Sequence, residues 1–409
     1  MLLAGHRPRS RQDVASTTLV ATDWDYVAEG GANVVFRYGG TETSPLANYV
    51  LRIRKAGVRG ALPGDIVAFA DAHAPSSAYS QVAVAVSVSS TFLCAMNDVL
   101  QGTTSRPSHR RGVHLDVNLL EVLLLPEMAF SSPHALSIEL KPKYGRLAAP
   151  SDLVHEAKRT TCRFCMHQHL KVAEGKARHR SAYCPIRLFA PETMADALSA
   201  LFTTPQNNLR LFPSTTAWND AMIRSVLVAL LTQVPVLEDL QRMHALDRLD
   251  IEGLFQLAQV HARLEQCSQE ELADGTASLG SLLPPGTISE STAQLIQRAT
   301  TAPNWANVPF TDWQRLYAHL VNDFMVATTY KDCSLLVAMA PFDTDDTADS
   351  DTHLITLPDG AVFKCKVAIV DVDPKSHKPL EYYHALDADI VAHFAATDDG
   401  TFGCAPMHT

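Results

Sequence analysis

Residues 139–171 constrain the fold most, because they carry positive charge on two different kinds of secondary structure. Pro142 excludes a helix at the start of this stretch, so Lys141 and Lys143 lie on an extended segment and face the same side. Residues 162–171 have instead the apolar spacing of a helix. The fold must therefore bring a strand and a helix together around a group of cations.

The helix predicted over residues 162–171 has two faces. Arg163, His167 and Lys171 recur every four residues and share one of them. The core stripe consists of Cys162, Cys165, Met166, Leu170 and Ala173. With the two lysines of the strand, the basic row would form a cationic cradle for a small ligand that carries several phosphates. A solvated basic helix beside a strand would give the same pattern, so these residues alone leave both interpretations open.

Composition is that of an ordinary globular chain, with 409 residues, 46% hydrophobic and 19% charged. No apolar run reaches the roughly 18 residues that a membrane span needs. Without a secretory signal, eight cysteines indicate reduced thiols rather than a disulfide framework. A net charge of −10 argues against a general binder of nucleic acid or anionic membranes. We expect an intracellular monomer, in the nucleus or cytoplasm, without nucleic-acid or membrane partners.

The amino-terminal region is typical of a nucleotide-binding hairpin. Residues 24–38 predict strand–turn–strand around a glycine-rich turn, whose N–H groups could approach phosphate oxygens. Residues 49–55 predict a strand with Arg52 and Arg54 on one face. This order resembles the opening of kinase N-lobes, although an ordinary glycine hairpin explains the turn equally well.

The middle of the first half is less informative. Residues 115–125 predict a buried strand that ends in a short connector at residues 126–128, as a kinase hinge does, although an ordinary core strand fits as well. Residues 56–81 read as a loop, and residues 103–111 read as an exposed basic loop.

The carboxyl-terminal half is predicted to be mostly helical, with one hairpin. Helices are expected near residues 192–202, 218–246, 251–265 and 305–329. Two apolar runs predict an antiparallel hairpin that places Asp332 and Asp371 at the same end. Two carboxylates beside a phosphate cradle allow a division of labour between a general base and a Mg²⁺ ligand.

These segments, taken in order, resemble the inositol-pentakisphosphate 2-kinases over roughly residues 29–390. The resemblance is carried by Gly30-Gly31-Ala32-Asn33, Leu51-Arg52-Ile53-x-Lys55, Glu139-Leu140-Lys141-Pro142-Lys143, Cys162-Arg163-Phe164-Cys165-Met166-His167-Gln168-His169-Leu170-Lys171, Tyr183-Cys184-Pro185, Pro205-Gln206-Asn207-Asn208, Lys331-Asp332-Cys333-Ser334 and Asp371-x-Asp373-x-Lys375. No single motif decides the matter, but their shared order makes chance an unlikely explanation.

The resemblance implies a reaction and an architecture. The γ-phosphate of ATP would pass to the 2-hydroxyl of inositol 1,3,4,5,6-pentakisphosphate, giving inositol hexakisphosphate (phytate), with Mg²⁺ as cofactor. The fold would be α+β and kinase-like, with an N-lobe over residues 1–126. An enlarged, mostly helical C-lobe over residues 127–409 would bind the inositide.

The resemblance also implies roles for individual residues. Nucleotide contacts would come from Gly30, Gly31, Ala32, Asn33, Arg52, Glu127, Met128 and Arg210. Substrate phosphates would be held by Lys141, Lys143, Arg163, His167, Lys171, Asn207, Asn208, Lys375 and Tyr383. Asp332 would orient or deprotonate the 2-hydroxyl, and Asp371 would bind Mg²⁺.

The chain departs from the family pattern at a few positions near this site. Tyr144 stands where many relatives have cysteine, and Pro374 and Ser376 disturb the pattern around Lys375.

Three alternatives remain at the level of sequence. A zinc site could draw on Cys162, Cys165, His167, His169, His179 and Cys184, although the two cysteines of the helix lie on its core stripe. A non-catalytic inositol-polyphosphate-binding protein on a kinase scaffold is the second, and both Asp332 and Asp371 argue against it. A protein kinase is the third, and the chain lacks His-Arg-Asp and Asp-Phe-Gly triplets in the expected context.

Overall fold

A computed structural model describes most of the chain. The described residues are 11–76, 78–130, 132–148, 153–213, 218–267, 277–284, 286–300, 302–343, 351–375, 378–398 and 404. Ser376, one of the departures noted above, lies outside them.

In the described part of the chain, ten strands form two antiparallel five-stranded sheets. The first sheet has the order β1-β2-β3-β5-β4 and the second the order β7-β6-β8-β10-β9. The strands are β1 Trp24–Glu29, β2 Asn33–Tyr38, β3 Tyr49–Arg54, β4 Val84–Ser87, β5 Glu121–Pro126, β6 Leu136–Leu140, β7 Leu209–Pro213, β8 Ser334–Pro341, β9 His353–Thr356 and β10 Val362–Val370. The fold is thus mixed α/β with two separate antiparallel sheets, as an α+β chain should be.

Helices surround both sheets and predominate in the second half. They are α1 Arg11–Ala15, α2 Pro63–His73, α3 Ser90–Gly102, α4 Ala157–Thr160, α5 Arg163–Ala173, α6 Pro185–Leu188, α7 Met194–Thr203, α8 Asp220–Gln233, α9 Val236–His244, α10 Asp250–Leu264, α11 Leu279–Leu282, α12 Glu290–Thr300, α13 Phe310–Tyr330 and α14 Leu380–Thr397. Short 3₁₀ turns lie at Ala21–Asp23, Ser108–Arg110 and Trp305–Asn307.

The first sheet builds its own hydrophobic core. Leu51 and Ile53 alternate along β3 with polar neighbours and are completely buried, together with Phe36 of β2. They pack against α3, whose Leu93 and Met96 face the sheet at helical spacing. This core is separate from the larger one that covers the second sheet.

The register of the second sheet brings distant segments to one edge. Leu140, at the end of β6, pairs with Leu335 at the start of β8 and with Leu209 at the start of β7. Ser334 pairs with Val370 at the end of β10. Residues just after β6, just before β7 and β8, and just after β10 must therefore lie together at this edge.

Several predictions of secondary structure are confirmed. The hairpin around the glycine turn, the strand at residues 49–55 and the antiparallel pair β8–β10 are all present. The helix predicted over residues 218–246 is two helices, because Pro235 cannot continue α8 and the axis bends by 66° there.

Other predictions were wrong. Residues 56–81 contain α2, which the sequence hides because only Pro63 and Ile66 of this small-residue helix are buried. The loop at residues 103–111 is not uniformly exposed, since Arg106 is 2% exposed. In α5, Ala173 is exposed rather than part of the core.

Within the described residues, no single helix has both the length and the apolar character to cross a membrane. The bent pair α8 and α9 satisfies the length and composition test only when its two helices are taken together. Their apolar residues, such as Leu227 and Leu240, are buried in the core of the second sheet.

Candidate functional site

The shared edge of the second sheet contains unusual backbone. Lys143 has φ 61°, Gln206 has φ 47° and Asp371 has φ 63°. This left-handed region costs of order 1–3 kcal/mol for a residue with a side chain, and such residues cluster at functional sites. The strained residues mark the segments after β6, before β7 and after β10.

Two carboxylates share three lysines at this edge. Lys143 Nζ lies 2.8 Å from Asp332 Oδ1, and Lys375 Nζ lies 3.1 Å from Asp332 Oδ2. Lys141 Nζ lies 3.0 Å from Asp371 Oδ2 and donates to the backbone carbonyl of Asp332 at 3.4 Å. The aspartate side chains are 50% and 47% exposed, so they remain accessible to a ligand.

The lysines keep both carboxylates ionised. Burial alone would raise the pKa of Asp332, but Lys143, Lys375 and Lys141 outweigh it and lower that pKa below its ordinary value. Lys141 and Arg52 likewise lower the pKa of Asp371 against the effect of burial. At neutral pH the edge therefore presents two carboxylates among cations.

One member of the basic row of α5, Lys171, interacts with charges of this edge. Burial lowers the pKa of Lys171, Lys143 lowers it further, and Asp332 acts in the opposite direction. Burial, Arg163 and Lys171 lower the pKa of His167 to about 4, so its imidazole is neutral at pH 7. The helix singled out in the sequence thus approaches Asp332 through Lys171, whereas Arg163 is paired with Asp387.

Asn208 offers unused hydrogen-bonding groups beside the lysines. Its backbone carbonyl accepts a hydrogen bond from the backbone N–H of Lys141 at 2.8 Å, and the residue as a whole is only 1% exposed. Neither atom of its amide has a partner within the described part of the chain. Buried polar groups are normally hydrogen-bonded, so this amide is suited to a ligand that offers an acceptor to its NH₂ group and a donor to its oxygen. The adjacent Asn207 is exposed.

Three other predicted ligands have protein partners in this structure. Tyr383 donates its hydroxyl to the Lys375 carbonyl at 2.9 Å, which fixes the segment after β10. Arg210 Nη1 lies 3.3 Å from Glu139 Oε2 on the neighbouring strand. Arg163 Nε lies 2.9 Å from Asp387 Oδ1.

A cleft lies between the two sheets, next to this edge. One cavity of about 30 Å³ is lined by Arg52, Leu123 and Leu125 from the first sheet and by Ile369 and Asp371 from the second. A neighbouring cavity of about 60 Å³ is also lined by Arg52, together with residues of the glycine turn. Arg52 therefore links the two.

Arg52 is held from both sides of the cleft. The guanidinium of Arg52 pairs with Asp373, which follows β10. Asn33, with its amide oxygen turned towards Arg52, accepts a hydrogen bond from Arg52 Nε at 3.0 Å. A Cβ added at Gly30 or Gly31 would meet no atom within 4 Å, so the turn has an open surface. A phosphate group could approach this surface closely. Ala32 completes the turn before β2.

The connector after β5 begins beside the first sheet. Glu127 donates its backbone N–H to the Asn48 carbonyl at 2.7 Å, and its carboxylate lies 2.7 Å from Arg37 Nε. Met128 follows in the same connector and is half-buried. These positions lie at the end of the strand that lines the cleft.

Four cysteines form a second candidate site. The sulfur atoms of Cys162, Cys165, Cys184 and Cys404 lie within 4.8 Å of one another, and all four residues are buried. Hydrogen bonds from the other three thiols lower the pKa of Cys184. Four buried sulfur ligands match the requirement of a structural zinc ion, so this set could hold one.

In the sequence, the position of Cys162 and Cys165 on the core stripe argues against zinc. The structure shows that these two buried cysteines cluster with Cys184 and Cys404, so their place on the stripe does not exclude metal ligation. The histidines named with them in the sequence analysis are not in the cluster. His169 contacts Thr397 and Arg180, and neither His167 nor His179 joins the cluster. The fourth cysteine of the cluster, Cys404, had no recognisable signal in the sequence because it lies 242 residues from Cys162.

Two further acidic residues contact predicted site residues and were given no role in the sequence analysis. Asp373 is part of the motif at residues 371–375, but no role was predicted for it. In the structure it forms an ion pair with Arg52. Asp387 lies in the middle of α14, where the sequence gives no sign that it contacts Arg163.

The arrangement as a whole defines a class of protein. Ionised carboxylates, a ring of cations and an open glycine turn beside a cleft are what a phosphotransferase acting on an anionic small molecule requires. The family model for inositol-pentakisphosphate 2-kinase matches residues 26–389. The chain belongs to the inositol-pentakisphosphate 2-kinase family.

Named relatives agree with this assignment. An inositol-pentakisphosphate 2-kinase of Arabidopsis thaliana is 25% identical, over 91% of this chain and 93% of its own length. One from Oryza sativa subsp. indica is 25% identical over 94% and 96%, respectively. One from Danio rerio is 24% identical over 63% of this chain and 66% of its own. The similarity extends over both sheets, and the alternative of a non-catalytic binding protein is not supported.

Proposed function

We propose that the protein transfers the γ-phosphate of ATP to the 2-hydroxyl of inositol 1,3,4,5,6-pentakisphosphate, giving inositol hexakisphosphate and ADP. The observation that carries this proposal is the edge where Asp332 and Asp371 share Lys141, Lys143 and Lys375. This edge lies between a cation-rich surface and the cleft beneath the glycine turn.

The architecture supports a division into two lobes. The first sheet, within residues 1–126, would cover the nucleotide with the turn at residues 30–33 and with Arg52. Residues 127–409 would bind the inositide and supply Asp332. Glu127 and Met128, at the boundary, would flank the adenine. Arg210 would lie near the ligand phosphates once it leaves Glu139.

The inositide would bind through many charge-assisted hydrogen bonds. Each bond of this kind contributes about 1.5–3 kcal/mol. The donors would be Lys141, Lys143, Arg163, His167, Lys171, Asn207, Asn208, Lys375 and Tyr383. Because Lys143 and Lys375 are paired with Asp332 in the resting site, substrate phosphates would draw them away from that carboxylate.

This exchange would prepare Asp332 for the reaction. With its lysines engaged by phosphates, the pKa of Asp332 would rise from its lowered value towards the ordinary one. Asp332 would accept a hydrogen bond from the 2-hydroxyl and align its oxygen with the γ-phosphorus. As the new O–P bond forms and the bond to ADP breaks, the hydroxyl proton would pass to Asp332.

The acidic residues after β10 fit a magnesium ion. Asp371 is ionised and half exposed, and Oδ1 of Asp373 is buried without a partner in the described part of the chain. Carboxylate oxygens of this kind are the ligands that Mg²⁺ prefers. When bound, the ion would neutralise charge on the transferred phosphate.

We also propose an intracellular monomer, in the nucleus or cytoplasm. None of the eight cysteines, all of which lie in the described part of the chain, forms a disulfide, which supports a reducing compartment. Size-exclusion chromatography with light scattering and imaging of the tagged protein test these two points separately.

The direct test is incubation of the purified protein with inositol 1,3,4,5,6-pentakisphosphate, ATP and Mg²⁺, followed by anion-exchange chromatography of the inositides. We expect inositol hexakisphosphate and ADP in equal amounts, and neither product in excess EDTA. Hydrolysis of ATP without a new inositide peak would refute the proposed acceptor.

A further inference from the structure

Arg163 is anchored at one edge and open at the other. It begins α5, and its Nε lies 2.9 Å from Asp387 Oδ1 on α14. The arginine side chain is 38% exposed, whereas the Asp387 side chain is 3% exposed. A buried carboxylate thus holds a guanidinium whose side chain is still more than one-third exposed.

Asp387 is itself held firmly. Its second oxygen, Oδ2, lies 2.6 Å from Nζ of Lys158, a residue that is 2% exposed. The same ammonium contacts Asp250 and lies 3.3 Å from Glu252 Oε2. Although burial opposes it, Asp250 and Asp387 raise the pKa of Lys158, so this lysine stays charged. Lys158 therefore fixes the carboxylate that fixes Arg163.

The same network of contacts extends to the shared edge of the second sheet. Asp250, which has φ 56°, donates its N–H to Asp247 Oδ1 at 3.0 Å. Asp247 Oδ2 in turn lies 2.5 Å from Nζ of Lys331, the residue before Asp332. One corner of the chain, residues 247–250, thus supports both Arg163 and the segment that carries Asp332.

Arg163 needs such support because its neighbours are cations. His167 and Lys171 share its face of α5, and Arg163 contributes to the lowered pKa of both. In an empty cradle, an unrestrained arginine would turn away from these charges. Arginine carries about 2 kcal/mol of rotamer entropy, and fixing it before the ligand arrives removes that cost from binding.

We propose that Asp387 is a positioning residue for inositide recognition, which orients Arg163 towards a substrate phosphate while Lys158 holds the carboxylate in place. The proposal rests on the proposed function, since it assigns the ligand of Arg163 to that site. Asp387 does not touch the reacting atoms, and its effect passes through the arginine.

The test compares Asp387→Asn, Arg163→Ala and the double variant by steady-state kinetics. Asp387→Asn should raise KM for inositol pentakisphosphate roughly tenfold, with kcat and KM for ATP within about twofold of wild type. The double variant should be no worse than Arg163→Ala alone, because Asp387 has nothing left to position. Additive losses, or an unchanged KM in Asp387→Asn, would overturn the proposal.

A matched control is Asp239→Asn. Asp239 is also 2% exposed and paired with an arginine, Arg242, but lies on α9. It should leave KM for the inositide unchanged; an equal rise in both variants would mean a general structural effect. If Asp387→Asn does not fold, Asp387→Glu retains the charge and displaces the carboxylate by one methylene. The same rise in KM, at an unchanged unfolding midpoint, is then expected, and an unchanged KM would refute the role.

Calorimetric titration with inositol hexakisphosphate separates this proposal from the proposed function. Weaker binding by Asp387→Asn supports the positioning role even if wild type transfers no phosphate. Normal turnover by wild type, with kinetics and binding unaltered in Asp387→Asn, leaves the kinase function intact and removes the inference.

Discussion

The two sheets carry ionic clusters of opposite character. Beside the glycine turn, Glu29 pairs with Lys55 Nζ at 2.6 Å and with Arg106 Nε at 3.0 Å, and all three side chains are at most 4% exposed. At the edge of the second sheet, the side chain of Asp332 is 50% exposed while it pairs with Lys143 and Lys375.

The difference separates charges that a ligand cannot reach from charges that it can. The buried triad has no access to a ligand, and Lys55 also donates to the Gly30 carbonyl at 2.8 Å, so it shapes the turn. The exposed pairs can exchange their carboxylate partner for a phosphate. Substitutions in the first cluster should therefore act on stability, and those in the second on binding and turnover.

The largest effect should come from Asp332→Asn. Loss of the proton acceptor and of hydroxyl alignment should lower kcat by about 10²–10⁴-fold. Inositide binding should remain within a few-fold of wild type, because the lysines are released from their carboxylate. Single-turnover assays and calorimetry measure the two quantities. Product formation equal to wild type would contradict the role of Asp332.

Glu29→Gln should have the largest effect on stability. Removing the carboxylate leaves Lys55 and Arg106 buried without their counter-charge, which typically costs about 3–5 kcal/mol. Denaturant unfolding measures the loss. Asp332→Asn serves as the reference and should not lower stability comparably. A Glu29→Gln protein of normal stability but reduced inositide affinity would reverse the comparison.

The register of the second sheet made much of the edge predictable. The apolar runs around residues 335–340 and 361–373 pair as expected, and Asp332 and Asp371 lie at the same end because antiparallel pairing leaves them no other place. Lys141 and Lys143 both reach this edge, but they lie after the end of β6, and the left-handed backbone of Lys143 does not follow the strand alternation that the sequence predicts. Local pattern sufficed for the two aspartates because they lie at the ends of strongly apolar strands.

Contacts between distant, locally featureless segments were not predictable. The burial of Arg106 depends on Glu29, 77 residues away, and that of Asp387 on Lys158, 229 residues away. Helix α2 was missed because it lacks a clear apolar stripe, so its sequence does not show helical periodicity. A polar residue inside a helix gives no sign of whether a distant cation will meet it.

Metal content tests the sulfur cluster near α5. Purified wild type should retain about one zinc ion per chain, and Cys404→Ser should lose most of it and unfold at a lower temperature. Elemental analysis and thermal unfolding measure both. Cys94→Ser is the control, because Cys94 is exposed and outside the cluster. If wild type contained no metal after expression in zinc-supplemented medium, the zinc prediction would be refuted and the cluster would be a set of buried thiols.

Lys143→Met should separate binding from stability. Loss of one charge-assisted bond should weaken inositide affinity by about 1.5–3 kcal/mol, or roughly 10–150-fold. Because Lys143 pairs with a half-exposed carboxylate, the free energy of unfolding should change little. Calorimetry and denaturant unfolding on the same preparation decide the point. A large loss of stability would class Lys143 with the buried triad.

The smallest effect concerns His167. Its pKa of about 4 in the free protein makes it neutral above pH 5, and bound phosphates should raise that pKa. Inositide binding near pH 6 should therefore take up protons, and affinity should rise as pH falls towards 5. His167→Asn should reduce the uptake, measured by calorimetry in buffers of different ionisation enthalpy. Identical proton uptake in variant and wild type would exclude His167.

The position of Cys404 has a consequence for biosynthesis. Its sulfur lies 3.6 Å from that of Cys162, a separation of 242 residues along the chain. Domains fold as they emerge from the ribosome, amino terminus first, at roughly 5–20 residues per second. The first turn of α5 would thus wait tens of seconds for its last sulfur neighbour, and nascent chains stalled before residue 404 should leave three of these thiols open to alkylation.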